Sequence, residues 1–158
     1  MRFGTWNVRS LYTAGSLTAA AWELARYELD LVGVEEVRRE KEGTVRAGYC
    51  NFFYGRGNEN YQLGTGFFLH NRIVSPVKRA KFVSDRMSYI VLRGRWFNVI
   101  VLNVHAPSDE KSGDSNDSFY GELDQVFFII FLITNENSIR RFECKSGERE
   151  YFETDNPE

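Results

Sequence analysis

Residues 30–38 read DLVGVEEVR, and the predicted fold is built outward from this stretch. Residues 31–34 form an apolar run with two valines, which is typical of a short buried β-strand. The run ends abruptly at Glu35 and Glu36, and Arg38 follows two positions later. Charged side chains directly after a buried strand lie at the rim of a sheet. A metal ion or a ligand can reach them there.

A second stretch, residues 2–9 (RFGTWNVR), has the same form, because a short apolar strand ends in Asn7 and Arg9. The segment between the two stretches has the length of one helix, so the pattern predicts a strand, a helix and a strand. Such a unit makes the strands parallel and packs the helix on one face of the sheet. Because parallel strands end at the same edge, we expect Asn7 and Glu36 to lie together.

Two helices are predicted. The first begins at a cap formed by Ser16 or Thr18 and runs to about residue 28. Its predicted apolar face consists of Leu17, Ala20, Ala21, Leu24 and Tyr27. The second helix is predicted over residues 119–127, and the apolar run 126–133 is predicted to be a buried strand directly after it. That run of eight residues is far shorter than the roughly 20 that span a bilayer.

The rest of the pattern predicts strands. Residues 38–48 are predicted to be a charged loop, and strands are predicted at residues 49–54 and 64–70. An antiparallel meander is predicted from residues 77–83, 87–92 and 97–104. From residue 135 onward the chain is polar with little periodicity, and we expect it to be loosely ordered. The fold class is therefore predicted to be α/β, with a layered sheet.

The composition is that of one globular domain, with 158 residues of which 42% are hydrophobic. The net charge of −2 is unevenly spread. Residues 1–103 have 15 Lys and Arg against 9 Asp and Glu, whereas residues 104–158 have 5 against 13. A basic first part hints at an anionic partner, although a solvated surface explains the charge equally well.

The two cysteines, Cys50 and Cys144, lack the spacing of a metal site and are too few for a disulfide scaffold. No apolar segment near the N-terminus resembles a signal peptide. We therefore expect an intracellular protein, in the nucleus or the cytoplasm, with no membrane association.

Five stretches together resemble the endonuclease/exonuclease/phosphatase superfamily, which has the DNase I-like fold. They are residues 5–9 (TWNVR), 31–36 (LVGVEE), 64–67 (GTGF), 84–86 (SDR) and 102–107 (LNVHAP). Their order and spacing are most similar to the endonuclease domain of non-LTR retrotransposons and to the craniofacial development protein 2-like sequences derived from it. The resemblance covers roughly residues 1–127. It implies a DNase I-like four-layer α/β sandwich, truncated to about its first half, with a mixed sheet and two main helices.

The resemblance also implies a site. In that family an N-terminal Asn and a strand-end Glu bind the divalent metal, and these correspond to Asn7 and Glu36. His105 takes the position of a Tyr that contacts the phosphate in many relatives, and Glu35 lies where the family often has Gln. Three arginines could hold phosphate oxygens: Arg9, Arg38 and Arg86. The implied cofactor is Mg²⁺ or Mn²⁺, because a hard cation takes oxygen ligands, and the implied partner is DNA, bound weakly and without sequence preference.

Each of these residues also has a plain structural interpretation. Taken without the resemblance, Glu36 would be a solvated or salt-bridged surface residue and Asn7 a turn cap. With the resemblance we favour both as metal ligands. His105 beside a proline is a common loop pattern, so both of its interpretations stay open. Arg86 also fits a structural partner of a carboxylate.

The chain departs from the family at the next motif, an apolar strand that ends in Gly-Asp-Phe-Asn. The Asp of this motif activates the attacking water, and its Asn binds the transition-state oxygens. Aligned from the predicted strand, these positions hold Asn135 and Asn137; aligned on residues 142–147, they hold Arg141 and Glu143. Neither alignment supplies the Asp, and Asn137 is the candidate for the second role.

The family closes its site with later strands that carry an Asp and an Asp-His pair, and we expect this sequence, which ends at residue 158, to stop before any of them. We therefore expect residues 1–134 to be a partial endonuclease domain, followed by a divergent tail. Hydrolysis of DNA is expected to be impaired, because catalytic residues act as a unit and the reaction rate falls steeply when one of them is missing. The alternative is a non-catalytic remnant that binds nucleic acid or a protein. We expect a monomer whose uncovered sheet edges allow aggregation.

Overall fold

The computed structural model describes residues 1–11, 13–57, 59, 62–108 and 113–134. The chain divides into two compact units, Met1–Glu110 and Lys111–Glu158. In the described residues, the first unit contains a five-stranded sheet, a three-stranded sheet and one α-helix, and the second contains one α-helix. The predicted mixed α/β class, with two main helices, is confirmed.

The strand–helix–strand unit has the predicted form. Its elements are β1 (Phe3–Asn7), α1 (Ala14–Arg26) and β2 (Leu31–Glu35). β1 and β2 pair in parallel, with Phe3 opposite Leu31 and Asn7 opposite Glu35. The first four residues of β2 are buried, whereas β1 lies at the edge of its sheet and is mostly exposed. The carboxyl ends of the two strands therefore lie side by side.

The five-stranded sheet, called sheet A here, is mixed. Its further strands are β3 (Gly43–Ala47), β4 (Cys50–Tyr54) and β5 (Thr65–His70). The strand order is β1-β2-β5-β4-β3, and all pairs other than β1 with β2 are antiparallel. β5 therefore lies beside β2 at the centre of the sheet.

β3 shows that the prediction of a loop over residues 38–48 is wrong for residues 43–47. β3 pairs with β4 along its whole length, and the turn between them contains Gly48 at φ +59°. Glycine adopts such left-handed conformations at little cost. Only Ala47 of β3 is buried. An exposed edge strand of this kind lacks the apolar alternation that sequence reasoning depends on.

The three-stranded sheet, called sheet B here, is the predicted antiparallel meander. It consists of β6 (Val77–Phe82), β7 (Met87–Leu92) and β8 (Val99–Val104), in that order. The central strand, β7, is buried at all six positions.

Two apolar clusters hold the first unit together. The first joins α1 to one face of sheet A and includes Leu17, Leu24, Val32, Phe52 and Phe68. The second joins the other face of sheet A to sheet B and includes Leu31, Phe67, Leu69, Ile90 and Leu92. The unit is therefore built in three layers, with α1 on sheet A and sheet A on sheet B.

The start of α1 differs from the prediction. Thr13 is the N-cap, and its side-chain oxygen accepts a hydrogen bond from the backbone N–H of Ser16 at 3.3 Å. The helix therefore begins before the predicted caps Ser16 and Thr18. Four of the five predicted apolar-face residues are buried, but Tyr27 is 63% exposed because it follows the last helical residue. Threonine is one of the residues preferred at helix N-caps, so Thr13 fits the same pattern as the two predicted caps.

The second unit contains α2 (Gly113–Thr134), a single helix of 22 residues. The predicted strand over residues 126–133 is therefore wrong. A short apolar run cannot be assigned to strand or helix by periodicity alone. Here no proline interrupts the helix that precedes the run, so continuing it satisfies the backbone without a partner strand. No helix in the described ranges is long and apolar enough to cross a membrane.

This correction affects the alignment with the Gly-Asp-Phe-Asn motif of the superfamily that the sequence resembles. Because residues up to Thr134 are helical, the alignment of Asn135 and Asn137 by the end of a strand has no strand to rest on. Asn137 and the predicted tail at residues 135–158 lie outside the described residues.

Candidate metal and phosphate site

The carboxyl ends of β1 and β2 bring Asn7 and Glu36 together, as the sequence predicts. The side-chain amide of Asn7 donates a hydrogen bond from Nδ2 to Glu36 Oε1 at 2.9 Å. The backbone N–H of Val8 donates to the carbonyl of Glu35 at 3.2 Å, which extends the β1–β2 pairing past the end of the strands. The backbone N–H of Arg9 donates to Asn7 Oδ1 at 3.2 Å and fixes the orientation of the amide.

The backbone is strained where it leaves this edge. Arg9, Glu36 and Arg38 have φ of 52°, 56° and 58°, in the left-handed region that costs a non-glycine residue roughly 1 kcal/mol or more. Val37 lies between Glu36 and Arg38 and is fully buried. Its backbone N–H donates to the carbonyl of Gly64 at 3.1 Å. Burial of Val37 thus keeps the charged groups of Glu36 and Arg38 at the surface. Strain of this kind clusters at functional sites.

Glu36 is held in its charged form. The hydrogen bond from Asn7 lowers the pKa of the Glu36 carboxyl below its usual range, against the opposing effect of burial. Arg38 lowers the pKa further, because its guanidinium nitrogen lies 3.1 Å from Glu36 Oε2. An ionised carboxylate and an amide oxygen are suitable ligands for a hard divalent cation that keeps several waters. Here Asn7 presents Nδ2 to the carboxylate, so its Oδ1 would have to turn from the N–H of Arg9 to bind such an ion. Within the described ranges, no group of three or more His, Cys, Asp or Glu is arranged to hold a metal ion.

His105 and Glu35 form a second pair at the same edge. His105 Nδ1 lies 2.6 Å from Glu35 Oε2, and each side chain is only about one-fifth exposed. The backbone of His105 is tied to Arg86: its N–H donates to the carbonyl of Arg86 at 2.8 Å, and Arg86 Nη1 donates back to the carbonyl of His105 at 3.2 Å. Arg86 therefore has a structural contact, as one interpretation expects, but with a main-chain carbonyl instead of a carboxylate.

Beneath these pairs, polar side chains fasten sheet B to sheet A. Asn103 Nδ2 donates to the carbonyls of Val34 at 3.0 Å and Gly66 at 3.2 Å. A Cβ atom at Gly33 would lie 3.0 Å from the Asn103 side chain, so glycine lets Asn103 approach the sheet. Asn103 lies within the stretch LNVHAP, but the sequence pattern assigns no role to it. The signal it offered is a polar residue inside an otherwise apolar strand.

A second inter-sheet contact lies one strand away. Thr65 Oγ1 donates to Ser88 Oγ at 2.7 Å, and both side chains are buried. Thr65 is paired with Glu35 across sheet A, and Ser88 is paired with Asn103 across sheet B. These polar contacts hold the two sheets in register directly below the site.

The candidate site therefore contains most of the residues that the sequence predicts for it. Asn7, Glu36 and Arg38 are joined by hydrogen bonds. His105 is joined to Arg86 through its backbone and to Glu35 through its ring. Arg9 contributes a backbone contact to Asn7, and its side chain is exposed. The Nε atom of Arg38 is buried and has no hydrogen-bond partner among the described residues. The roles in metal and phosphate binding stay predictions.

No protein-family model matches the chain. The chain is similar to craniofacial development protein 2 of Bos taurus and of Tragulus javanicus, with 25% identity over 147 residues in each case. The match covers 93% of this chain but spans only about a quarter of the length of the curated relatives, 25% in each. The predicted resemblance to craniofacial development protein 2-like sequences is thereby confirmed.

Among solved structures, the chain is similar to the endonuclease domain of TRAS1, a telomere-specific non-LTR retrotransposon. The TM-score is 0.49 at 10% sequence identity. The superposition covers 77% of this chain and 51% of that one.

Proposed function

We propose that residues 1–134 form an endonuclease-type domain that binds a divalent cation and the backbone of DNA, and that hydrolyses DNA poorly. The cation, Mg²⁺ or Mn²⁺, is bound by Asn7 and Glu36. The observation that supports this most is the 2.9 Å hydrogen bond that places an amide and an ionised carboxylate at one sheet edge. When bound, the cation stabilises negative charge on a phosphate oxygen.

Phosphate binding is assigned to arginines at the same edge. Arg38 lies next to Glu36, and its side chain is 41% exposed, so its guanidinium group can reach a phosphate oxygen. Arg9 extends the row from the end of β1, and its side chain is exposed. Arg86 neighbours His105. Arginine pairs with phosphate oxygens without reading the base sequence, so the binding would be non-specific.

We infer poor hydrolysis because the reaction needs a carboxylate that is free to accept a proton from the attacking water. Glu36 is committed to the cation and to Arg38, and Glu35 is committed to His105. Neither alignment of the family's next motif supplies an Asp to activate the attacking water. A domain that binds DNA without cutting it efficiently is therefore favoured over an active nuclease.

The proposal is tested by measuring how DNA binding depends on salt. Replacing Arg38 with Gln should weaken binding to a short fluorescent duplex and should lower the slope of log K against log salt by about 0.9, the contribution of one phosphate contact. The readout is fluorescence anisotropy over a salt series. Arg26→Gln is the matched control, because Arg26 is an exposed arginine on α1 that also pairs with a glutamate.

The control should keep the affinity and slope of the unmodified protein. An unchanged slope in the Arg38 variant, or an equal loss in both variants, would show that the site does not bind the DNA backbone.

A further inference from the structure

The contact between Glu35 and His105 determines which ring nitrogen of His105 is available. Nδ1 is the nitrogen that lies 2.6 Å from the carboxylate, and among the described residues no hydrogen bond reaches Nε2. This contact holds the ring, and two hydrogen bonds with Arg86 hold the backbone of His105. Nε2 is therefore the ring atom left for water or a ligand.

A carboxylate accepts hydrogen bonds but cannot donate them while it is ionised. When Glu35 is ionised, the 2.6 Å contact therefore places the proton on His105 Nδ1. In a neutral imidazole the other nitrogen then carries a lone pair. The tautomer of a histidine is commonly set in this way by the partner of one ring nitrogen.

We propose that Glu35 is a positioning residue that holds neutral His105 in the tautomer with the proton on Nδ1, so that Nε2 is left as a hydrogen-bond acceptor. The ring in this form orients a water molecule or a hydroxyl group. It does not donate to a phosphate oxygen. That Nε2 orients such a group at bound DNA rests on the proposed function, whereas the tautomer does not.

A glutamine at position 35 would remove this control. Its side-chain amide has almost the same size as the carboxylate, but it can either accept a hydrogen bond through its oxygen or donate one through its nitrogen. Either tautomer of His105 can then form a hydrogen bond with the side chain at position 35. Glu35→Gln therefore tests the charge and the acceptor-only character of residue 35 with little change in packing.

The chain supplies an internal reference. Its other histidine, His70, accepts a hydrogen bond at Nδ1 from the backbone N–H of Arg72 at 3.2 Å. An accepting Nδ1 carries no proton, so neutral His70 has its proton on Nε2. The two histidines are therefore expected to show opposite tautomers in the same spectrum.

The experiment is a long-range ¹H–¹⁵N correlation spectrum of the ¹⁵N-labelled protein, without metal and without DNA, over a pH series that reaches neutral rings. We expect His105 to carry its proton on Nδ1 and His70 on Nε2. In Glu35→Gln the His105 signals should change to those of a tautomer mixture, while those of His70 stay unchanged. Glu23→Gln, on the surface of α1, is the control and should alter neither ring.

A proton on Nε2 of neutral His105 in the unmodified protein would overturn the proposal, and this result needs no variant that folds. The same would follow from an unchanged His105 tautomer in a folded Glu35→Gln protein. Because neither metal nor DNA is present, these outcomes are independent of whether the proposed function holds.

Discussion

Replacing Glu36 with Gln is expected to weaken Mn²⁺ binding roughly 30-fold or more, because a divalent ion and a carboxylate about 4 Å apart attract by about 2 kcal/mol even at the dielectric constant of water. The substitution removes the charge but keeps an oxygen that can accept the hydrogen bond from Asn7 Nδ2. The measurement is a titration with Mn²⁺ followed by electron paramagnetic resonance, which reports the free ion. Competition with Mg²⁺ then gives the affinity for the smaller cation.

Glu28→Gln is the matched control for this prediction. Glu28 precedes β2 as Glu36 follows it, and it likewise pairs with one arginine, Arg2. The control should bind Mn²⁺ as the unmodified protein does. If Glu36→Gln and Glu28→Gln bound Mn²⁺ equally well, the site at the ends of β1 and β2 would not be the metal site.

Replacing Phe68 with Ala is expected to lower the free energy of unfolding by about 3–5 kcal/mol. Phe68 is 1% exposed and stacks on Phe52 with 4.4 Å between the ring centroids. It lies on β5, in the cluster that joins sheet A to α1, so its removal leaves a cavity at the centre of the unit. A loss of this size is a large part of the stability of about 5–15 kcal/mol that a domain possesses.

Urea unfolding followed by Trp fluorescence measures the change. Phe97→Ala is the control, because Phe97 is 75% exposed and its removal leaves no buried cavity. The control should unfold within about 0.5 kcal/mol of the unmodified protein. An unfolding midpoint for Phe68→Ala that matches the control would show that sheet A and α1 are not packed as described.

The sequence predicts the Asn7–Glu36 pair well because the signals involved are local and general. Apolar runs mark β1 and β2, the segment between them has helix length, and the crossover rule makes the strands parallel. Two residues 29 positions apart then meet at one edge. The meander of sheet B is predicted for a similar reason, since its strands are apolar, consecutive and separated by short polar turns.

The errors occur where a short segment permits two structures. Residues 43–47 become a strand only because β4 pairs with them. The run 126–133 is rich in aromatic and β-branched residues, which favour strands, yet it continues a helix. In the first case the neighbouring strand decides, because tertiary context overrides local propensity. In the second case the run continues the helix that precedes it.

The inter-sheet contacts could not be predicted for another reason. The bonds from Asn103 to Val34 and Gly66, and from Thr65 to Ser88, join residues of different sheets. Their partners follow from how sheet B packs on sheet A, which no spacing along the chain encodes. The same holds for Glu35 and His105, which are 70 positions apart.

We propose a domain that binds a divalent metal ion and yet cuts DNA poorly. Incubating supercoiled plasmid with the folded protein in Mg²⁺, beside an EDTA sample and the Glu36→Gln variant, measures this cleavage. We expect the plasmid to stay supercoiled in all three samples, although the unmodified protein binds the metal. Nicking that disappears both in EDTA and in Glu36→Gln would contradict this proposal, because another residue would then activate the attacking water in place of the Asp.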